Sequence, residues 1–119
     1  MPMTDGRPFH PIQNTIRLTA ATSAPVGVHA ELGLSAIHLT QVRIHNSGAV
    51  TAFVTFSTVS GADAQSKAVI PTGTGANSKF CWPIPPGAIE IFTAPPSAYW
   101  SAITASGSAD LYLTPGEGM

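Results

Sequence analysis

The sequence predicts an all-β fold, an antiparallel β-sandwich of jelly-roll-like type with an extended N-terminal arm, and three observations lead to it. Short runs rich in Val, Ile, Thr and aromatic residues are separated by clusters of Gly, Pro, Asn and Ser, the alternation expected of strands and turns. No run keeps the helical period of about 3.6 residues long enough to form an ordinary helix. About eight such runs follow one another closely, the spacing of sandwiches and jelly rolls rather than of fixed-period repeats. The chain has 119 residues, the usual size of one domain, so it can bury a core without a staple. Its single cysteine, Cys81, leaves no internal disulfide to form.

Residues 1–14 hold Pro2, Pro8 and Pro11 around Gly6, which interrupts both helical and ladder hydrogen bonding. This segment reads as the arm, and residues 15–119 as the single sandwich domain. Phe9 and Ile12 on the arm gain stability only when buried, by the chain's own domain or by a neighbour. Together with Arg7, His10 and Phe53 they form the candidate partner interface.

Within 15–19, Ile16 and Leu18 alternate with Thr15, Arg17 and Thr19, as in a half-buried strand. Residues 25–29 suit another strand, and 31–36 at most one helical turn. Over 37–57, two β-rich runs flank Asn46-Ser47-Gly48, a hairpin signal. The apolar phase shifts between Ile37/Leu39 and Val42/Ile44, which predicts a β-bulge near Thr40 or Gln41. The second run sets Val50, Ala52, Val54 and Phe56 on one face and Thr51, Phe53 and Thr55 on the other. Phe53 on that polar face calls for a covering layer or a partner.

Residues 58–66 and 71–78 read as loops around a short strand at 68–70. Residues 79–84 form a strand ended by Pro85-Pro86-Gly87, and 88–93 another, with Ile89 and Ile91 opposite Glu90 and Phe92. Residues 99–104 and 109–113 pair as a second hairpin through 105–108. The tail Pro115-Gly116-Glu117-Gly118-Met119 is not expected to extend a strand.

Charged residues make up 9% of the chain, against about 25% in a typical soluble domain. With 44% hydrophobic residues, disorder of the whole chain is excluded. Few charges remain to coat a free surface, so part of it is expected to be covered in the working state. Arg7, Arg17, Arg43, Lys67 and Lys79 are scattered along the sequence, which argues against nucleic acid as a partner. No apolar run spans a bilayer, and residues 1–7 lack the apolar core of a secretory signal, so neither membrane attachment nor signal-directed export is expected.

The residues that could carry chemistry are dispersed. Gly73-Thr74-Gly75-Ala76-Asn77-Ser78-Lys79 has neither the spacing nor the following helix of a phosphate loop. His10, His29, His38 and His45 show no ligand spacing, so no metal is expected. Cys81, between Phe80 and Trp82, reads as a small buried apolar group rather than a nucleophile. Nothing selects a catalytic pair among Glu31, Asp63, Glu90 and Asp110. A non-enzymatic protein without cofactor or small-molecule substrate is therefore expected. Trp82, Tyr99, Trp100 and Tyr112 raise the alternative of a carbohydrate-binding module, although core or interface burial is favoured for both tryptophans.

Three stretches carry a resemblance: Gln41-Val42-Arg43-Ile44-His45-Asn46-Ser47-Gly48, Pro85-Pro86-Gly87-Ala88-Ile89-Glu90-Ile91-Phe92, and the end of the chain from Tyr99 through Thr114-Pro115-Gly116-Glu117-Gly118-Met119. Over roughly 80 residues the chain resembles small structural proteins of tailed bacteriophages. The resemblance implies a capsid cement or decoration protein, made in the host cytoplasm and bound as a homo-oligomer to the major capsid protein on the phage head. A head-completion or tail-associated role is the alternative within the virion. The family has no active-site residue to carry over.

Overall fold

A computed structural model describes residues 9–11, 15–29, 41–72, 81–94 and 98–118. Among them are nine strands: β1 (Phe9–Pro11), β2 (Ile16–Ala20), β3 (Val28–His29), β4 (Gln41–Asn46), β5 (Ala52–Ser57), β6 (Trp82–Ile84), β7 (Ile89–Thr93), β8 (Tyr99–Thr104) and β9 (Ala109–Gly118). One helix, α1 (Gly61–Lys67), lies between β5 and β6. The strands form two antiparallel sheets, an all-β sandwich. In the first, β1 and β2 share one side of β9, followed by β4 and then β7; the second runs β3-β8-β5-β6.

The chain changes sheet at every step from β2 to β9 except between β5 and β6. Both expected hairpins are corrected by this order. Residues 47–51 carry the chain from β4 in the first sheet to β5 in the second, and 105–108 carry it from β8 to β9 across the same gap. The physical reason at the first arch is Asn46, which is fully buried. Its Nδ2 donates to the carbonyls of Val50 (2.9 Å) and Ile84 (2.8 Å), and its Oδ1 accepts from the Gly48 N–H (2.9 Å). One side chain thus ties the end of β4 to the facing sheet, where a hairpin would have returned beside β4. The expected bulge falls outside the described residues at Thr40, and Gln41 already pairs regularly with Thr93 and Gly116.

The C-terminal tail is the third correction, because β9 continues through Pro115 to Gly118. Asp110 accepts from the Ser47 N–H at 3.0 Å, so even-numbered positions of β9 bond β4 and odd-numbered ones face β1 and β2. Pro115 therefore aims its missing donor away from β4, whose ladder loses no bond. A proline is tolerated where no ladder bond is lost. Of the segment read as an arm, Phe9–Pro11 pairs with Gly118, Glu117 and Gly116 of the same chain, and the remainder up to Asn14 lies outside the described residues.

The core fills the space between the sheets with Leu18, Val42, Ile44, Val54, Ile84, Trp100, Leu111 and Leu113, together with alanines at close approaches. At one end four rings close a circuit. Trp82 and Phe92 lie 5.1 Å apart, Phe92 and Trp100 5.8 Å, Trp100 and Phe56 5.1 Å, and Phe56 and Trp82 6.0 Å. Phe92 belongs to the first sheet and the other three to the second, so the circuit ties the layers together at tilted and offset geometries favourable for aromatic pairs.

The helix replaces what the sequence reads as a loop, and no strand forms at 68–70. Ser60 caps it, its Oγ accepting from the Asp63 N–H at 3.0 Å, while Lys67 in the last turn pairs with Asp63 at 3.1 Å. The helix lies on β5 and β8, burying Thr55, Ser57 and Ser101 on the outer side of the second sheet. This supplies the covering layer expected for the β5 face that carries Phe53, which is half-buried.

Candidate functional site: an apolar and cationic sheet face

The helix lies on the outer side of one sheet over β5 and β8, and among the described residues no element lies on the outer side of the other. Strand pairing arranges that face in rows. Ile89, His45, Tyr112 and Arg17 lie across β7, β4, β9 and β2; beside them Ile91, Arg43 and Thr114 form a second row. At a strand spacing of about 4.8 Å the first row, over four strands, is roughly 14 Å long and the second, over three, roughly 10 Å. Alternation explains the placement: Val42, Ile44, Leu111 and Leu113 point into the core, so their neighbours must point out.

Ile89 is 46% exposed, Ile91 41% and Tyr112 36%. Large apolar side chains left open in neighbouring rows are the informative kind of surface. The charges on this face are mostly of one sign. Among the described residues neither Arg17 nor Arg43 forms an ion pair, and the carboxylate on this side, Asp110, accepts from the Thr19 hydroxyl at 2.7 Å. The face is therefore apolar towards β7 and cationic towards β4 and β2.

Among the described residues the strand at its margin, β7, is a sheet edge. The Asn46 N–H donates to the Ala88 carbonyl at 3.0 Å, so even-numbered positions of β7 bond β4. Ile89, Ile91 and Thr93 turn their backbone N–H and C=O groups away from the sheet. Sequences commonly protect such an edge with Lys, Pro or a bulge within the strand. Ile-Glu-Ile-Phe-Thr carries none of these; its charged residue, Glu90, lies on the face opposite Ile89 and Ile91.

Most of the residues expected to form a partner interface have no described side chain. Arg7 and Ile12 lie outside the described residues. Phe9 and His10 lie in β1, where only their backbone pairing is described. Phe53 sits on the second sheet, opposite Ile103 and Pro83, away from β7. Sequence reasoning did place Ile89 and Ile91 on one face of their strand. It missed that Arg17, Arg43, His45 and Tyr112 would join them, because that depends on strand order.

The other reactive candidates have structural surroundings. The Cys81 thiol donates to the Lys67 carbonyl at 3.4 Å, and burial pushes its pKa up, away from the nucleophilic thiolate. Thr55 Oγ1 is buried beside it without a regular hydrogen-bond partner among the described residues. The His29 ring stacks on Tyr99, 3.9 Å between centroids. Asp63 accepts from Ser57 and Lys67, which hold its carboxyl below the ordinary range. Among the described residues no three His, Cys, Asp or Glu side chains gather as a metal site. Trp100 is 1% exposed and cannot stack on a sugar. Compared with protein-family models, curated proteins and solved structures, the chain matches none.

Proposed function

We propose that this chain is a non-enzymatic structural protein of a tailed-bacteriophage virion, a capsid cement or decoration protein that binds the outside of the head and reinforces contacts between major capsid proteins. The observation that carries the reading is the pairing of a 9% charge content with a sheet face bearing the exposed Ile89, Ile91 and Tyr112 beside two arginines that form no ion pair among the described residues. A surface with few charges costs little to desolvate, and a face with apolar and arginine groups has the composition of an interface centre. The strand orders β2-β9-β4-β7 and β3-β8-β5-β6 are read as a jelly roll, a rigid two-layer body that can carry load between neighbours. In this reading the protein is made in the host cytoplasm and sits on the virion as a homo-oligomer against the major capsid protein.

Particles assembled without the protein are expected to form but to rupture at lower temperature, and adding the purified chain back should restore them. Identical rupture profiles with and without it would refute the reading. Imaging of labelled copies separates the alternative within the virion: copies spread over the shell mark a cement protein, and copies confined to one vertex mark a head-completion or tail protein.

A further inference from the structure

We propose that β7 and the cationic face beside it receive an extended, carboxylate-bearing strand of a partner protein, added to the five-stranded sheet as its next strand. The edge geometry supplies the backbone half of the recognition. Ile89, Ile91 and Thr93 direct their N–H and C=O groups outward, and within β7 no proline, lysine or glycine obstructs a ladder. Strand addition draws affinity from such a ladder and specificity from alternate side chains.

Those alternate side chains set the chemistry. On the outer face, residues of an incoming strand would lie beside Ile89 and Ile91, with His45 and Arg43 directly behind them. The separation from the new strand to β4 is about 10 Å, two strand spacings, within the joint reach of a glutamate and an arginine. A carboxylate there would meet a guanidinium that has no ion pair of its own among the described residues.

Charge complementarity also selects against a second copy as the occupant. Antiparallel pairing of β7 with itself about Ile91 would set Ile91 against Ile91 and Ile89 against Thr93 on this face. It would add a second Arg17 and Arg43 to the same surface against one further carboxylate, Asp110, which the Thr19 hydroxyl already engages, and would bring its edge carboxylate, Glu90, only to the opposite face. Like charges gathered on one face disfavour that arrangement.

The inference deepens the capsid reading and rests on it only for the partner's identity. Its test uses the full chain and two synthetic ten-residue peptides, one alternating Glu with Thr and the other Lys with Thr. The Glu peptide is expected to bind, to slow amide exchange at Ile89, Ile91 and Thr93, and to weaken as salt rises. Arg43→Gln should weaken binding by roughly tenfold, the scale of a lost charge-assisted contact, with an unchanged unfolding midpoint. Ile91→Pro, which deletes an outward donor that the β4 ladder does not use, should abolish it.

Absence of Glu-peptide binding, equal binding of the Lys peptide, or affinity untouched by Arg43→Gln would each overturn the proposal. So would a concentration-dependent dimer that protects the same amides. If Ile91→Pro fails to fold, Arg43→Gln and the salt series decide alone. Bound Glu peptide alongside particles indifferent to the protein would remove the capsid reading and leave this docking site standing; the converse pair of results would remove the site and keep the reading.

Discussion

Asn46 has no exposed surface and satisfies three separate backbone groups, at Val50, Ile84 and Gly48. Asn46→Ala would leave the buried Ile84 carbonyl and the part-buried groups at Val50 and Gly48 unpaired at the point where the chain crosses between layers. A loss of about 3 kcal/mol is expected, within the usual cost of orphaned buried groups, and urea unfolding would measure it. A change below experimental error would mean that water replaces the amide. Trp100→Ala removes the most enclosed ring of the aromatic circuit and should cost about 3–5 kcal/mol, read from the same curves. Asp63 gives a prediction in pH. Ser57 and then Lys67 hold its folded pKa below the ordinary 3.8, so the unfolded chain binds the proton more readily. Its contribution is complete above 3.8 and fades as pH falls through the lower folded value. Asp63→Asn should flatten that acid limb, and an unaltered limb would assign acid sensitivity to other carboxylates. The burial of Trp100 was legible in the sequence, but the role of Asn46 was not: Asn-Ser-Gly has the composition of a hairpin turn, and only the burial of Asn46 reveals an arch.

The alternating strands β2, β4, β5, β7 and β8 were legible because alternation is local; β1 and the absence of a strand at 68–70 were not, and neither was the helix, whose seven residues are too few to display a period. A signal was nonetheless present in Ser60-Gly61-Ala62-Asp63, a capping residue followed three positions later by an acid. What fixes α1 is tertiary. The Gly27 N–H donates to the Gly61 carbonyl at 2.9 Å, and a Cβ on Gly61 would stand 2.5 Å from the Gly27 carbonyl oxygen. Gly61→Ala therefore pushes backbone against backbone. A destabilisation of about 1–3 kcal/mol is expected, as for other overpacked sites, and should appear as a lower thermal midpoint with a strand signal that persists below it. An unshifted midpoint would show that the loop before β3 can yield. The continuation of β9 through Pro115 was equally illegible, since proline excludes a strand only where its missing donor faces a partner, and facing is set by the register with β4 and β2.

At the scale of the molecule, strand order decides which residues meet, and strand order comes from contacts distant in sequence. Arg17 and Tyr112 are neighbours on the outer face because β2 and β9 join the two ends of the chain. The same closure determines how the molecule responds to truncation. β1 adds a three-residue ladder to β9, while Leu18 and Ala20 of β2 already belong to the core that β9 completes. Removing residues 1–11 thus strips an edge without opening the sandwich. The truncated chain should unfold in one cooperative transition, weakened by about 2 kcal/mol for the lost edge hydrogen bonds and the uncovering of buried Pro115 and Gly116. A broad, non-cooperative transition would instead mean that β1 closes the core. Because β7 lies at the opposite edge of the sheet, separated from β1 by β9 and β4, the same truncation should leave capture of the Glu peptide unchanged. A truncated chain that stays folded but loses that capture would place the recognising surface at the N-terminal edge, and the argument from Ile89, Ile91 and Arg43 would fail with it.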